Sequence, residues 1–281
     1  MNTVETEQLE IKLLLEALYH RYGYDFRQYS QASIKRRVLH YLSKTNHDAI
    51  SALIPSLLYD EKSFKSFLFC VSVTVTEMFR DPWFYDTLQK EVFPFLKTYP
   101  FINIWHAGCA TGEEVYSLAI LLKESNLYDR AHIYATDFND RALQKAKDRI
   151  YPLERMKDYS TNYQKSGGKF SLSDYYHAQY DAVIFDAALQ KNITFANHNL
   201  ATDGVFSEMH LVLCRNVLIY FNRDLQNRVL SIFRDSLCYN GFLCLGSKET
   251  LDFSGVRNSF IEVARKERIY QHKNDRGRLE R

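Results

Sequence analysis

The segment Phe101–Glu114, FINIWHAGCATGEE, constrains this chain more than any other stretch. An aromatic and β-branched run enters a loop of small residues. The loop then opens a long helical pattern, Glu113-Glu114-Val-Tyr-Ser-Leu-Ala-Ile-Leu-Leu-Lys. Buried strand, glycine-bearing turn and helix, in that order, build the nucleotide pocket of a doubly wound α/β sheet. The glycines, Gly108 and Gly112, are spaced G-x-x-x-G, so the G-x-G-x-x-G dinucleotide fingerprint is missing. A helix N-terminus favours anions, and two glutamates at this one would repel a pyrophosphate. They suit a ligand with a cationic end, such as S-adenosylmethionine with its sulfonium and ammonium groups. Taken alone, the pair reads equally well as first-turn residues complementing the helix dipole.

The following residues add to the loop. His132–Thr136, HIYAT, has the character of a second strand, and Asp137 stands at its end. That is about 25 residues beyond Gly112, close to where an acid accepts hydrogen bonds from a ribose diol. A helical pattern runs over Asn139–Arg149, so Asp137 could also be a cap near that helix start.

The chain has 281 residues, 46% of them hydrophobic, with 20 Tyr and 19 Phe, enough for one large domain or a domain with a smaller companion. A net charge of +2 gives no reason to expect nucleic acid or a membrane surface as partner. Cys70, Cys109, Cys214, Cys238 and Cys244 form no C-x-x-C pair and no metal-ligand spacing, so reduced thiols and no metal are expected. The N-terminus MNTVETEQLE lacks the basic and apolar regions of a signal peptide. No apolar run approaches the roughly 20 residues that span a bilayer. A soluble, cytoplasmic protein without membrane insertion is the expectation.

One change of texture divides the chain. Residues 1–70 carry helical periodicity, with Leu13, Leu14, Ala17 and Leu18 in one helix, Ile34, Val38 and Leu42 in another, and Ile50, Leu53, Ile54 and Leu57 in a third. Residues 71–98 connect, beginning with the β-branched VSVTVT. Residues 99–272 alternate strands and helices, and the charged tail 273–281 is expected to be disordered. Within the α/β part, 151–192 is too long for a plain connection. It carries the turn signal Gly167-Gly168 and the run Asp181-Ala-Val-Ile-Phe, which predict a small antiparallel insertion. Strands are predicted at Ile193–Ala196 and His210–Cys214, then a helix over Asn222–Tyr239 stopped by Gly241, then a strand at Phe242–Leu245. A final hairpin is predicted over Val263–Tyr270, turning around Arg265-Lys266-Glu267.

Ordered motifs now meet a known family. They are TEMFRD (76–81), AGCATGEEVYSLA (107–119), ATD (135–137), NHNL (197–200), CRNVLIYF (214–221) and LCLGSKE (243–249), with Tyr29 and SIKRRV (33–38) upstream. Through them the chain resembles the CheR family, the chemotaxis-receptor glutamate O-methyltransferases that use S-adenosylmethionine. The resemblance implies a Rossmann-like class I methyltransferase domain, a mostly parallel sheet with a terminal antiparallel hairpin. A small all-helical domain would precede it, and a small antiparallel β insertion would interrupt it.

The site residues that it implies are specific. Ala107 and Gly108 would pass beneath the methionine moiety, Glu114 would meet its amino group, and Asp137 would hold the ribose. Asn199 and Leu200 would border the adenosine, and Arg215 and Asn216 would follow the strand that floors the pocket. Thr74, Thr76 and Arg80 would lid the cofactor, and Tyr220 would face the methyl donor, with Arg80 and Tyr220 shaping the transfer. Arg36 and Arg37, beside Lys35 and His40, would face the acid-rich cytoplasmic helices of a chemoreceptor or a related signalling protein, met by a monomeric enzyme. The insertion lies where some relatives bind a receptor tail peptide.

The chemistry matches those residue types. A glutamate side chain, with a reference pKa near ~4.3, is already ionised at neutral pH and needs no general base. Positioning and exclusion of water carry the catalysis. The chain departs from the family pattern at Thr74 (usually Asn), Val115 (usually Pro), His210 (usually Asp) and Gly246-Ser247-Lys248-Glu249 (usually G-H-S-E). Two other readings remain open: a cofactor-binding scaffold without catalysis, and a methyltransferase for a different soluble substrate. CRNV stands in place of the N/D-P-P-Y motif, which argues against a nucleic-acid amine.

Overall fold

Apolar residues at helical spacing fold the first part of the chain into α1 (Thr3–Tyr22), α2 (Gln31–Leu42), α3 (Leu53–Tyr59) and α4 (Glu61–Val71). The computed structural model describes residues 3–72, 75–206 and 208–273. Leu14, Leu18, Val38, Leu53, Leu57 and Phe67 meet in a core of their own. The sequence pattern yields only three of these helices. The fourth starts where the Asp60 carboxylate accepts the N–H groups of Lys62 and Ser63, and it buries Phe64, Phe67, Leu68 and Val71. Val71 therefore ends a helix rather than beginning an extended segment. Thr74 and residues 274–281, most of the expected tail, lie outside the described residues.

The connecting stretch is helical again from α5 (Pro82–Thr87) through one π-helical turn (Leu88–Val92) to α6 (Phe93–Leu96). Pro82 occupies the first turn, where its missing N–H costs no hydrogen bond. Strands and helices then alternate as β1 (Ile102–Ala107), α7 (Glu113–Glu124), β2 (Ala131–Asp137) and α8 (Asp140–Asp148). The insertion contributes β3 (Ile150–Pro152), α9 (Met156–Lys165), β4 (Tyr176–Gln179) and β5 (Ala182–Phe185). The remainder is β6 (Ile193–Asn197), β7 (Met209–Cys214), α10 (Arg223–Ser236), β8 (Leu237–Leu245), β9 (Phe260–Ala264) and β10 (Ile269–His272).

The main sheet has the order β6-β2-β1-β7-β8-β10-β9. The first five strands are mutually parallel, and β10 runs antiparallel to both β8 and β9. The chain winds outward from β1 to β2 and β6, then returns to place β7 on the other side of β1. That reversal is the topological switch point, and in such sheets a ligand crevice opens at the carboxyl ends of the strands beside it. The residues following β1 and β7, Gly108 and Arg215, therefore flank the crevice.

The insertion is a separate antiparallel sheet in the order β3-β5-β4. It is fastened to the end of α7 by Glu124, whose carboxylate accepts the Tyr175 hydroxyl at 2.9 Å, the Lys169 N–H at 3.1 Å and the Tyr163 hydroxyl. Gly167-Gly168 follows the end of α9, while the β4–β5 hairpin turns at Tyr180, whose φ is 53°. Gly241 also differs from expectation. α10 ends at Ser236, and β8 runs through Gly241, where the pairing to β7 shifts register between Met209 and Leu211. An added Cβ there would lie 3.0 Å from the Cys238 carbonyl and 3.1 Å from that of Met209, so glycine serves a bulge, not a helix stop.

The helical unit is tied to the sheet at the rim of the crevice. Tyr29 bridges to Phe221, Ser30 N–H donates to the Tyr220 carbonyl at 2.8 Å, and Asn222 N–H donates to the Gln28 carbonyl at 2.8 Å. Across the crevice, Asn139 Nδ2 donates to Ser72 Oγ at 2.9 Å.

Candidate active site

The loop after β1 is shaped by backbone that side chains resist. Gly108 has φ +77°, and a Cβ on it would lie 2.6 Å from Val217 Cγ2. Gly112 has φ +91°, and a Cβ there would lie 2.8 Å from Ala146 Cβ. The N–H groups of Gly108 and Cys109 both donate to the Thr136 carbonyl, at 2.8 and 2.9 Å, so the loop is pinned to the end of β2. Around it lies a cleft of about 970 Å³, open mouth included.

The two glutamates of α7 part company. Glu113 points away from the cleft, accepts the Thr111 hydroxyl at 2.7 Å, and has its carboxyl pushed by burial to about 7. Glu114 lines the cleft. Burial alone would raise its carboxyl, but the adjacent Arg215 guanidinium and the His106 ring together outweigh burial and hold it at about 2. Arg215 Nη1 donates to Glu114 Oε1 at 3.0 Å, and Nη2 donates to Asp81 Oδ2 at 2.8 Å. The guanidinium also sits 4.0 Å from the centre of the Phe84 ring. Its side chain is 1% exposed, so it acts as an internal clamp rather than a free cation.

That clamp sets Arg80. Phe79 and Asp81, on either side, both have positive φ, 53° and 57°. Left-handed backbone at two such residues is a strained arrangement held by its surroundings. Phe79 is fully buried with its N–H on Ser117 Oγ, and Asp81 is taken by Arg215. Arg80 is left facing the cleft, and its guanidinium has no ion-pair partner among the described residues.

On the β2 side, Asp137 accepts the Ala110 N–H through Oδ2 and the Asn139 N–H through Oδ1, each at 2.9 Å. Burial pushes its carboxyl above the usual range against the pull of those bonds. Each oxygen keeps a lone pair for a further donor. Asn139, not Asp137, caps α8.

The cleft gathers Thr76, Arg80, Gly108, Glu114, Asp137, Asn199, Leu200, Arg215, Asn216 and Tyr220. Ala107 is fully buried in β1 and does not line it. Asn199 also braces its own loop, its N–H donating to Asp203 Oδ2 at 2.8 Å and its Oδ1 accepting from Ala201. Asn216 has φ 62°, and its N–H is held by Glu249 Oε2 at 3.0 Å. Arg36 is exposed on the helical unit, whereas Arg37 turns inward to line the cleft, 5.2 Å from the centre of the Tyr220 ring.

Several lining residues are unexpected at the site: His106 and Phe138 lie outside the family motifs, and Tyr29, His198 and Val217 belong to them without an assigned role. His106 leaves a legible signal, a polar residue inside an apolar strand immediately before the glycine loop. Its ring nitrogens and Asn216 Oδ1 are buried without hydrogen-bond partners among the described residues. An anionic Glu114, an acceptor at Asp137 and these unmet polar atoms fit a ligand with an ammonium group and a ribose, which S-adenosylmethionine is.

Residues 74–269 match the family described as CheR methyltransferase, SAM binding domain, and residues 9–70 match CheR methyltransferase, all-alpha domain. The chain is 49% identical to Cher3 of Pseudomonas putida over 271 residues, covering 96% of this chain and 99% of that protein. It is 29% identical to the chemotaxis protein methyltransferase of Listeria innocua over 231 residues, covering 82% and 85%. For the chemotaxis protein methyltransferase of Salmonella typhimurium the figure is 24% over 253 residues, covering 88% and 85%. The helical unit and the cleft-bearing sheet are thus both accounted for, and the chain belongs to the CheR methyltransferase family, whose S-adenosylmethionine-binding domain it carries.

Proposed function

We propose that the protein transfers the methyl group of S-adenosylmethionine to the side-chain carboxylate of glutamate on a chemoreceptor-type signalling protein. The observation that carries this reading is the state of the cleft cations. Arg215 is consumed by Glu114 and Asp81 and Arg37 lies against the Tyr220 ring, while Arg80 faces the cleft without an ion-pair partner among the described residues. An acceptor that arrives as an anion supplies that partner. The names of the relatives in Listeria and Salmonella support the chemoreceptor as its source.

When bound, S-adenosylmethionine supplies an electrophilic methyl group on a sulfonium. Glu114 holds the ammonium end, Asp137 accepts from the ribose hydroxyls, and Asn199 and Leu200 border the adenosine. Arg80 aligns the acceptor carboxylate, and Tyr220, steadied by the Arg37 guanidinium, narrows the approach. A carboxylate oxygen that is already ionised attacks without losing a proton, so no residue acts as general base. Anion and cation give two neutral products, and a site that sheds water favours that loss of charge. Arg36, exposed on α2, would meet the acidic partner outside the cleft.

The test is transfer of labelled methyl from S-adenosylmethionine into an extract of chemotactic cells. Base-labile label on a membrane receptor is the expected result. Base-labile label confined to a soluble protein would redirect the acceptor, and base-stable label would overturn carboxyl methylation.

A further inference from the structure

His106 is the fifth residue of β1, and its side chain is 2% exposed. It lines the cleft, and neither ring nitrogen has a hydrogen-bond partner among the described residues. The neighbouring indole on the same strand is satisfied, with Trp105 Nε1 donating to Thr136 Oγ1 at 2.8 Å. Glu114 Oε1 lies 3.8 Å from His106 Nε2, close enough for the ring to help hold that carboxyl low. The distance is still beyond hydrogen-bond reach, and the oxygen already accepts from Arg215. Burying both nitrogens of an imidazole without partners is costly unless something that enters the cleft completes them.

A neutral imidazole carries one N–H donor and one bare nitrogen. It is matched, in either tautomer, by a group that offers an acceptor and a donor together. The zwitterionic aminoacyl arm of S-adenosylmethionine is such a group, with a carboxylate to accept and an ammonium to donate. The other polar end of the molecule, its ribose, belongs at Asp137. We propose that His106 is a cofactor-binding residue that grips the aminoacyl arm beside Glu114. The proposal rests on the cofactor and is indifferent to the identity of the acceptor. Its consequence is selectivity for ligands that carry the arm over those that end at the thioether.

Calorimetry on the full chain separates the two ends of the ligand. S-adenosylhomocysteine keeps the arm, and 5′-methylthioadenosine lacks it. His106→Ala should weaken S-adenosylhomocysteine roughly ten- to a hundredfold while 5′-methylthioadenosine stays within about twofold. His106→Asn, which keeps a donor and an acceptor, should recover part of the loss. Equal weakening of both ligands, or none, overturns the proposal. The unaltered protein gives a second reading that needs no substitution. Its His106 ring nitrogens, observed by ¹⁵N resonance, should shift with S-adenosylhomocysteine and not with 5′-methylthioadenosine, and identical responses to both would overturn it. Failure of the unaltered protein to bind S-adenosylhomocysteine at all is a different result, and it strikes the cofactor rather than His106.

Discussion

Arg215→Met tests whether the clamp is what keeps Glu114 charged. The folded carboxyl is held at about 2 against an ordinary 4.5, and the difference corresponds to about 3 kcal/mol of folding stability at neutral pH. Breaking a buried pair by removing one partner costs about 3–5 kcal/mol, the same range, because the remaining charge is uncompensated. The sign follows from a depressed carboxyl. Its stabilisation is complete above 4.5 and is lost as pH falls toward 2, so the gap between the two proteins is widest near neutrality and narrows in acid. With the guanidinium gone, burial governs Glu114 and raises its carboxyl. Binding of S-adenosylhomocysteine, flat near neutral pH in the unaltered protein as far as Glu114 is concerned, should then weaken as pH falls. Urea denaturation at several pH values, paired with calorimetry, measures both effects. A stability loss under about 1 kcal/mol at pH 7 with unchanged binding would refute the clamp.

Glu113→Gln should behave in the opposite sense. A carboxyl raised by burial to about 7 favours the fold below 4.5 and loses that contribution as pH rises through 7. The variant should therefore gain up to about 3 kcal/mol relative to the unaltered protein between pH 5 and 8; denaturation curves that stay parallel across that window would rule this out. Gly112→Ala meets both a left-handed φ and a 2.8 Å approach to Ala146, and should lose about 2–4 kcal/mol by thermal or urea unfolding. Arg80→Ala breaks no ion pair described here, so it should keep its stability to about 0.5 kcal/mol. Its methyl transfer should drop roughly a hundredfold through loss of acceptor alignment, and unimpaired turnover would move the acceptor site elsewhere.

What the sequence makes legible is what is local. The glycine loop, the acid that ends β2 and the order of motifs lie within short spans whose spacing reports geometry directly. The pairing of Arg215 does not. Asp81 could have been read as a partner for its neighbour Arg80, yet it accepts from a guanidinium 134 residues away, a relation only the folded sheet creates. β1 is hidden for a different reason. Five of its six residues are buried, so no polar and apolar alternation shows which side chain faces the crevice, and His106 stands out as polar without its place in the cleft being readable. Gly241 misleads because a glycine after an amphipathic helix resembles a helix stop, while the carbonyls that demand it belong to Cys238 earlier in the same strand and to Met209 on the neighbouring one.

The bonds joining Gln28, Tyr29 and Ser30 to Tyr220, Phe221 and Asn222 bear on how such a protein diversifies. The same helical unit that offers Arg36 outward sends Arg37 of α2, and Tyr29 just before it, into the cleft. A chimera that borrowed its first seventy residues from a relative would import part of the pocket wall along with a new outer face. Exchange of acceptor preference by recombination is therefore constrained to halves whose 28–37 and 217–222 segments have been inherited together.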